Sequence, residues 1–250
     1  MSDSDSDGSI PPPVSSLDLE SSTDADLLPS RPPPTLSPEA ELFKTLYDDR
    51  LPSNHGKVLS RTERKREGYI SPTLTYGEIR FDTFEELFNL LREKNLLPSE
   101  GGTFVDVGCG IGKPVFAAAL LHDFQKCTGI EILEDCYRCA VETLAFWTSD
   151  IKPLLNEDRV LPENLKFSFL NNDATLVDWS GADVVFMNST MFNMALMLKL
   201  SVQCRALREG AIIVTTTRKI VGRQFELVHE EKMEESWGEA QVYVFRRLAN

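Results

Sequence analysis

Histidine is scarce in this chain, three in 250 residues, and none of the three stands in an HExxH run or a dense His/Cys cluster. A zinc-dependent hydrolase has no ligand set here, and no metal site is expected. Cysteine is sparse too. Cys109, Cys127, Cys136, Cys139 and Cys204 are odd in number, irregular in spacing and mostly set among apolar residues. That excludes a disulfide framework and reads as reduced, buried thiols of a cytosolic or nuclear protein. Cys136 and Cys139 form one CxxC pair, but no second pair follows, and a helix face accounts for the spacing. No apolar run reaches 18 residues, so no membrane-spanning helix is expected. The first residues are acidic and lack an apolar stretch, unlike a secretory signal.

Positive charge is also in short supply, 26 basic against 39 acidic residues and a net charge of −13, which argues against passive adhesion to nucleic acid. The imbalance is local. Residues 1–50 hold eleven acids against Arg31, Lys44 and Arg50, so this fifth of the chain carries most of the net charge. Residues 1–36 combine Ser-Asp repeats with proline triplets and read as a disordered acidic tail, too polar to offset the entropy of ordering. The one dense basic cluster is Lys57, Arg61, Arg64, Lys65 and Arg66, either a solvated loop or helix face or a contact for phosphates or an acidic protein surface.

What the chain does have is glycine at a telling spacing. Phe104-Val105-Asp106-Val107 reads as a buried parallel strand, and Gly108, Gly110 and Gly112 follow at every second position. Glycine lets backbone approach a ligand and adopt positive φ. A helix then opens at Lys113, with Pro114 in its first turn, where proline is tolerated. A second strand, Cys127 to Glu131, ends in a carboxylate able to accept both hydroxyls of a ribose. The dinucleotide fingerprint puts the third glycine three positions after the second, whereas Gly112 is only two after Gly110. The pattern D-x-G-x-G-x-G suits S-adenosylmethionine, which has no pyrophosphate to cradle; the alternatives are a dinucleotide or a glycine-rich turn with no ligand.

Periodicity fills in the rest. Ser37-Pro38 opens a helix to about Tyr47, and Thr83 to Glu86 is a capping-box pattern for a helix to about Lys94. Helices are expected over Glu134–Trp147 and Met191–Leu207, and strands over 165–170, 182–187, 211–215, 225–229 and 241–245. Strand–helix alternation closing on two strands predicts an α/β fold with a doubly wound seven-stranded sheet. The expected division is a tail to residue 36, a helical and loop segment over 37–82, and a catalytic domain over 83–250.

Four stretches in order carry a more specific likeness. They are Tyr76-Gly77-Glu78 with the residues to Asp82; the glycine loop from Phe104 to Gly112; Val185 to Phe192, in which Asn188 ends a strand and Phe192 follows four later; and Leu207 to Val214 together with Ser236-Trp237. Over about residues 69–246 the chain resembles the non-SET histone-lysine methyltransferases, the disruptor of telomeric silencing family, which have a Rossmann-like class I methyltransferase fold. The resemblance implies a nuclear enzyme that methylates a lysine in the globular core of nucleosomal histone H-three. It implies that Tyr76 and Glu78 close over the methionine end of S-adenosylmethionine, that Asp106, Gly108, Gly110, Gly112 and Lys113 line its amino-acid side, that Glu131 holds the ribose and that Asp173 accepts the adenine amine. Asn188 and Tyr76 would act where the methyl group meets the amine, and Phe192, Trp237 and Tyr243 would wall a lysine channel. Plainer readings stay open: Tyr76 as a turn aromatic, Asn188 as a strand cap and Trp237 as core.

Three positions depart from the family pattern. Lys113 stands where a neutral amide is usual, Ser189 replaces a second asparagine, and Ala174 replaces an aromatic beside the adenine. No basic tail follows Arg246-Arg247, so contact with DNA would fall to the Lys57–Arg66 cluster or to partners. Two rival functions remain at this point, a class I methyltransferase for another protein or a small molecule, and a cofactor-binding protein without catalysis.

Overall fold

The computed structural model describes residues 36–155, 162, 164–235 and 238–249. The tail to residue 35, Ser236 and Trp237 lie outside the described residues. Seven strands form one sheet: β1 (Thr103–Val107), β2 (Lys126–Glu131), β3 (Lys166–Asn171), β4 (Val184–Met187), β5 (Ile212–Thr216), β6 (Phe225–Glu235) and β7 (Gly238–Arg247). Their order is β3-β2-β1-β4-β5-β7-β6. The first five are parallel, β7 runs antiparallel to β5, and β6 is antiparallel to β7. The expected doubly wound seven-stranded sheet is the fold observed.

The central strands read as unbroken apolar runs because both faces are covered, yet each strand still alternates. Phe104, Val184, Phe186, Ile212 and Val214 face one core. Val105, Val107, Val185, Met187 and Ile213 face the other. The first core holds α1 (Pro38–Leu46), α3 (Phe81–Glu93), α4 (Lys113–Leu121) and α5 (Glu134–Phe146) against the sheet. Its centre is aromatic: Phe84 stands edge-on to Phe186 at 5.1 Å and to Phe104 at 6.4 Å, the geometry favoured by ring quadrupoles. The second core is mainly aliphatic, with Met197, Leu200 and Cys204 of α6 (Met194–Cys204) packed on the sheet and Trp179 and Phe245 among them.

Helix ends follow local chemistry, with shifts from the sequence reading. Ser37 Oγ accepts the Ala40 N–H at 3.2 Å, and Pro38 occupies the first turn of α1 as expected. The start expected at Thr83 moves to Phe81. Arg80 is the cap, Asp82 takes the Thr83 N–H at 2.9 Å, and the Thr83 hydroxyl is drawn across to the Glu234 carbonyl instead of serving as a cap. α6 begins at Met194, not Met191, because Asn193 Oδ1 caps the Leu196 N–H at 2.9 Å and leaves 190–193 as a loop. β6 runs to Glu235, six residues past the expected end. Its Glu-rich second half has little intrinsic strand preference and is held by pairing with β7.

A further helix, α2 (His55–Arg66), carries the basic cluster. Its buried face holds Gly56, Ser60 and an acid, Glu63. Glu63 is 3% exposed, and its two carboxylate oxygens accept the N–H groups of Glu134 and Asp135, both at 2.8 Å. These are donors at the start of α5, which has no cap of its own. A carboxylate at a helix N-terminus is stabilised by both the hydrogen bonds and the helix dipole. Glu63 thus fixes α2 against α5. We predict that Glu63→Ala, which strands two inward-facing N–H groups, lowers unfolding free energy by about 3 kcal/mol; urea denaturation checks this, and a loss under 1 kcal/mol would show that α2 is held by other contacts.

Candidate active site

β1 is the point where the strand order reverses, and a crevice outside the carboxyl ends of strands at such a point is where α/β sheets bind ligands. A cavity of about 570 Å³ opens there. Tyr76, Gly108, Glu131, Asp173, Asn188 and Phe192 are among its walls, with Lys57 and Lys199 from α2 and α6. Six of the expected site residues therefore meet in one space, brought from five separate stretches of chain.

Glu131 ends β2 and is 7% exposed. One oxygen accepts the Gly110 N–H and the other the Leu133 N–H, each at 2.8 Å. The carboxylate ties the glycine loop to the start of α5 while remaining on the cavity wall. Burial pushes its pKa up, against the pull of the Leu133, Gly110 and Ile132 backbone N–H groups. Asp106 is more extreme. It is 1% exposed, and neither carboxylate oxygen has a hydrogen-bond partner. Burial first and the Glu131 charge second drive its pKa well up. A carboxylate so placed lacks the cation or donors that would satisfy it.

Asp173 follows β3 on the cavity wall, and its Oδ1 accepts the Thr175 N–H at 2.8 Å. Asn188 sits just past β4. Its Nδ2 donates to the Gly77 carbonyl at 3.1 Å, and its Oδ1 accepts the Thr216 hydroxyl at 2.9 Å. It is a tie between the Tyr76-Gly77-Glu78 segment and the end of β5. Ser189, fully buried, gives its hydroxyl to the Thr216 carbonyl at 2.5 Å. Phe192 packs over Gly108, where an added Cβ would come within 3.3 Å of its ring.

The expected set is not all on one surface. Glu78 and Lys113 line a separate cavity of about 250 Å³ with Tyr47 and His55. Asp106, Gly110 and Gly112 lie behind the wall of the larger one. Tyr243 stands in β7 opposite Thr215, with the Lys219 ammonium 4.6 Å over its ring, and does not line the cavity. Trp237 is outside the described residues. The basic cluster is partly spent on internal contacts: Arg66 pairs with Asp135 at 2.8 Å, and Arg64 donates to the Ser60 carbonyl and the Thr75 hydroxyl. Arg61 and Lys65 stay exposed, and Lys57 is on the cavity rim. The CxxC pair lies on α5 with both thiols buried and free. Among the described residues no three metal-ligating side chains cluster, and no helix is long and apolar enough to cross a membrane.

Comparison with known proteins bears on this geometry. The family model described as "Histone methylation protein DOT1" matches residues 58–246, from α2 to the last strand. The chain belongs to this family. Two curated relatives carry the name "Histone-lysine N-methyltransferase, H3 lysine-79 specific". The one from Caenorhabditis elegans is 31% identical over 143 residues, 57% of this chain and 14% of the relative. The one from Candida albicans is 28% identical over 187 residues, 72% of this chain and 13% of the relative. The chain spans about a seventh of the length of these relatives. Among solved structures, a putative RNA methyltransferase from Pyrococcus horikoshii superimposes with a TM-score of 0.54 at 16% identity, over 86% of this chain and 99% of that one. A putative methyltransferase from Escherichia coli gives 0.50 at 17% identity, over 66% and 84%. These two likenesses concern the fold.

Two buried acids went unmarked in the sequence: Glu63, and Glu235 at the end of β6. Glu235 is 3% exposed with no well-formed hydrogen bond to either oxygen. Burial pushes its pKa up to about 8, while the Arg80 N–H and charge draw it down. Asp106 and Glu235 share a sign. A carboxyl whose folded pKa lies above its unfolded value contributes stability that is full below the unfolded pKa and lost as pH rises through the folded one. Asp106→Asn and Glu235→Gln should each therefore stabilise the ligand-free protein at alkaline pH, by roughly 2 kcal/mol at pH 9, with the gain shrinking toward pH 5. Denaturation series at pH 5, 7 and 9 measure this; a gain independent of pH would show that charge burial is not its source.

Proposed function

We propose that this chain is an S-adenosylmethionine-dependent protein-lysine N-methyltransferase that acts on a lysine in the globular core of nucleosomal histone H-three in the nucleus. The observation that carries the reading is the Asp106–Glu131 pair behind and on the wall of the cavity, in a chain of a family whose matched members are named for this activity. The residues fit the cofactor. The Glu131 carboxylate on the wall suits ribose hydroxyls, and the Asp106 carboxylate behind it, with two unpartnered oxygens, suits an α-ammonium group once the wall over it gives way. Asp173 suits an adenine amine, and Gly108 puts glycine-loop backbone on the cavity wall. Residues 83–250 would form the catalytic body and 37–82 the segment that closes it.

When bound, S-adenosylmethionine supplies a methyl group already activated by its sulfonium. The protein's share is to present a neutral amine in line and to exclude water. The apolar wall at Phe192 disfavours a charged ammonium and so lowers the lysine pKa. Asn188 holds Gly77 with one amide hydrogen and keeps the other, so the same side chain that fixes the covering segment has a hydrogen left for an incoming group. Trp237 and Tyr243 belong to the proposed channel by family pattern, and Tyr243 would have to move from under Lys219 to reach it. Lys57, Arg61 and Lys65 are the basic residues placed to meet phosphate or an acidic histone surface, and such contacts weaken with salt.

The test is radiolabelled methyl transfer to nucleosomes, free core histones and a small-molecule extract side by side. Label should enter nucleosomal histone H-three and fall as salt rises. Glu131→Ala should weaken binding of S-adenosylhomocysteine at least tenfold by calorimetry, since each charge-assisted hydrogen bond contributes roughly 1.5–3 kcal/mol. Label confined to the small-molecule extract would replace the histone with another substrate, and unchanged affinity would remove Glu131 from the cofactor site.

A further inference from the structure

Lys113 is the first residue of α4, a place where a cation is opposed by the helix dipole. No acid occupies the first turn of α4 to compensate. The compensation comes from 35 residues upstream, where Glu78 Oε2 accepts the Lys113 ammonium at 2.8 Å. The two side chains are 16% and 19% exposed, so the pair is better shielded than a surface ion pair, which is worth little. The ammonium also lies 5.4 Å from the Tyr47 ring centroid, and Tyr47 donates its hydroxyl to the Ile111 carbonyl of the glycine loop at 3.0 Å.

The chain of contacts continues to the cavity. The other Glu78 oxygen accepts the Tyr76 hydroxyl at 2.9 Å. The Tyr76 ring is wedged between two glycines from distant segments. A Cβ at Gly56 of α2 or at Gly110 of the glycine loop would come within 2.3 Å of ring atoms. The ring thus fills a slot that two missing side chains create, and it forms part of the large cavity's wall. Several ties hold the same segment: Asn188 fixes the Gly77 carbonyl, Arg64 reaches the Thr75 hydroxyl, and Glu78 is held by Lys113. The last is an ion pair next to Tyr76.

We propose that Lys113 is a positioning residue that acts through Glu78 to hold Tyr76 in its slot, so that the segment 75–80 is clamped over the glycine loop by an ion pair. The ligand named in the test rests on the cofactor reading above; the clamp itself does not. With Lys113 neutralised, Glu78 keeps its carboxylate near the start of α4 but loses this ion pair, and the hold on the Tyr76 hydroxyl loosens. The segment then opens more often and a bound ligand leaves faster. Arginine at 113 preserves the charge and should preserve the clamp.

The experiment uses the full chain and two readouts. Hydrogen exchange of the ligand-free protein reports opening of 75–80, and stopped-flow release of S-adenosylhomocysteine reports dwell time. Lys113→Gln should speed exchange across 75–80 and ligand release about tenfold each, with Lys113→Arg close to wild type. Glu78→Gln should match Lys113→Gln, and the double variant should be no worse than either. Lys113→Met, which keeps the aliphatic stem and removes only the charge, should speed exchange as Lys113→Gln does, a result that packing alone would not produce. Lys113→Met close to wild type would overturn the clamp, and this holds even if Lys113→Gln fails to fold. Equal exchange in wild type and Lys113→Gln would also overturn it. If wild type binds no S-adenosylhomocysteine while exchange responds as expected, the clamp stands and the cofactor reading falls.

Discussion

The site depends on one carboxylate having two jobs. Glu131 must accept the Gly110 and Leu133 N–H groups for the glycine loop and α5 to start where they do, and it must also stand on the cavity wall. A neutral or shorter side chain at the end of β2 would leave buried donors unmet. The helix that this arrangement launches is the one Glu63 completes, because Leu133, Glu134 and Asp135 are successive donors shared between two acids from opposite sides. Most of the architecture around the cavity, from the loop under the ligand space to α2 over it, is organised by satisfying these few backbone groups.

The pattern explains why an acidic interior is tolerated. Glu63 and Glu131 are buried but fully engaged with backbone, and their charge is opposed by helix dipole and N–H groups. Asp106 is buried and unengaged. The difference separates acids that organise backbone from one whose burial is uncompensated within the chain.

Where the sequence spoke clearly, the physical signal was local. Buried strands showed as apolar runs, Ser37-Pro38 as a cap, and the glycine loop as a spacing, because each depends on residues within a few positions. Gly108, Glu131, Asp173, Asn188 and Phe192 were legible through the loop spacing and the family pattern, and the fold brings them to one cavity. Long-range partners left no trace. Nothing near Glu63 announces that its donors lie 71 and 72 residues away. α2 looked like a solvated basic run because its decisive side chain is one acid among cations. The second half of β6 was missed since its residues favour strand only when β7 lies alongside. Lys113 was seen as a charge beside the cofactor; its pairing with Glu78 depends on tertiary structure.

β6 is the outer edge of the sheet, eleven residues long, and an edge of that length is an invitation to another strand. Here Glu226, Glu230, Glu231 and Glu234 are exposed along it. Several are engaged within the chain: Glu226 with Arg246, Glu230 with Lys219, and Glu231 with His229. A second strand pairing there would have to align its backbone beside four carboxylates and compete with the partners they already have. The poor strand-forming composition that hid this half of β6 from the sequence reading therefore has a use: it ends the sheet, keeping an otherwise open ladder from growing into a neighbouring molecule.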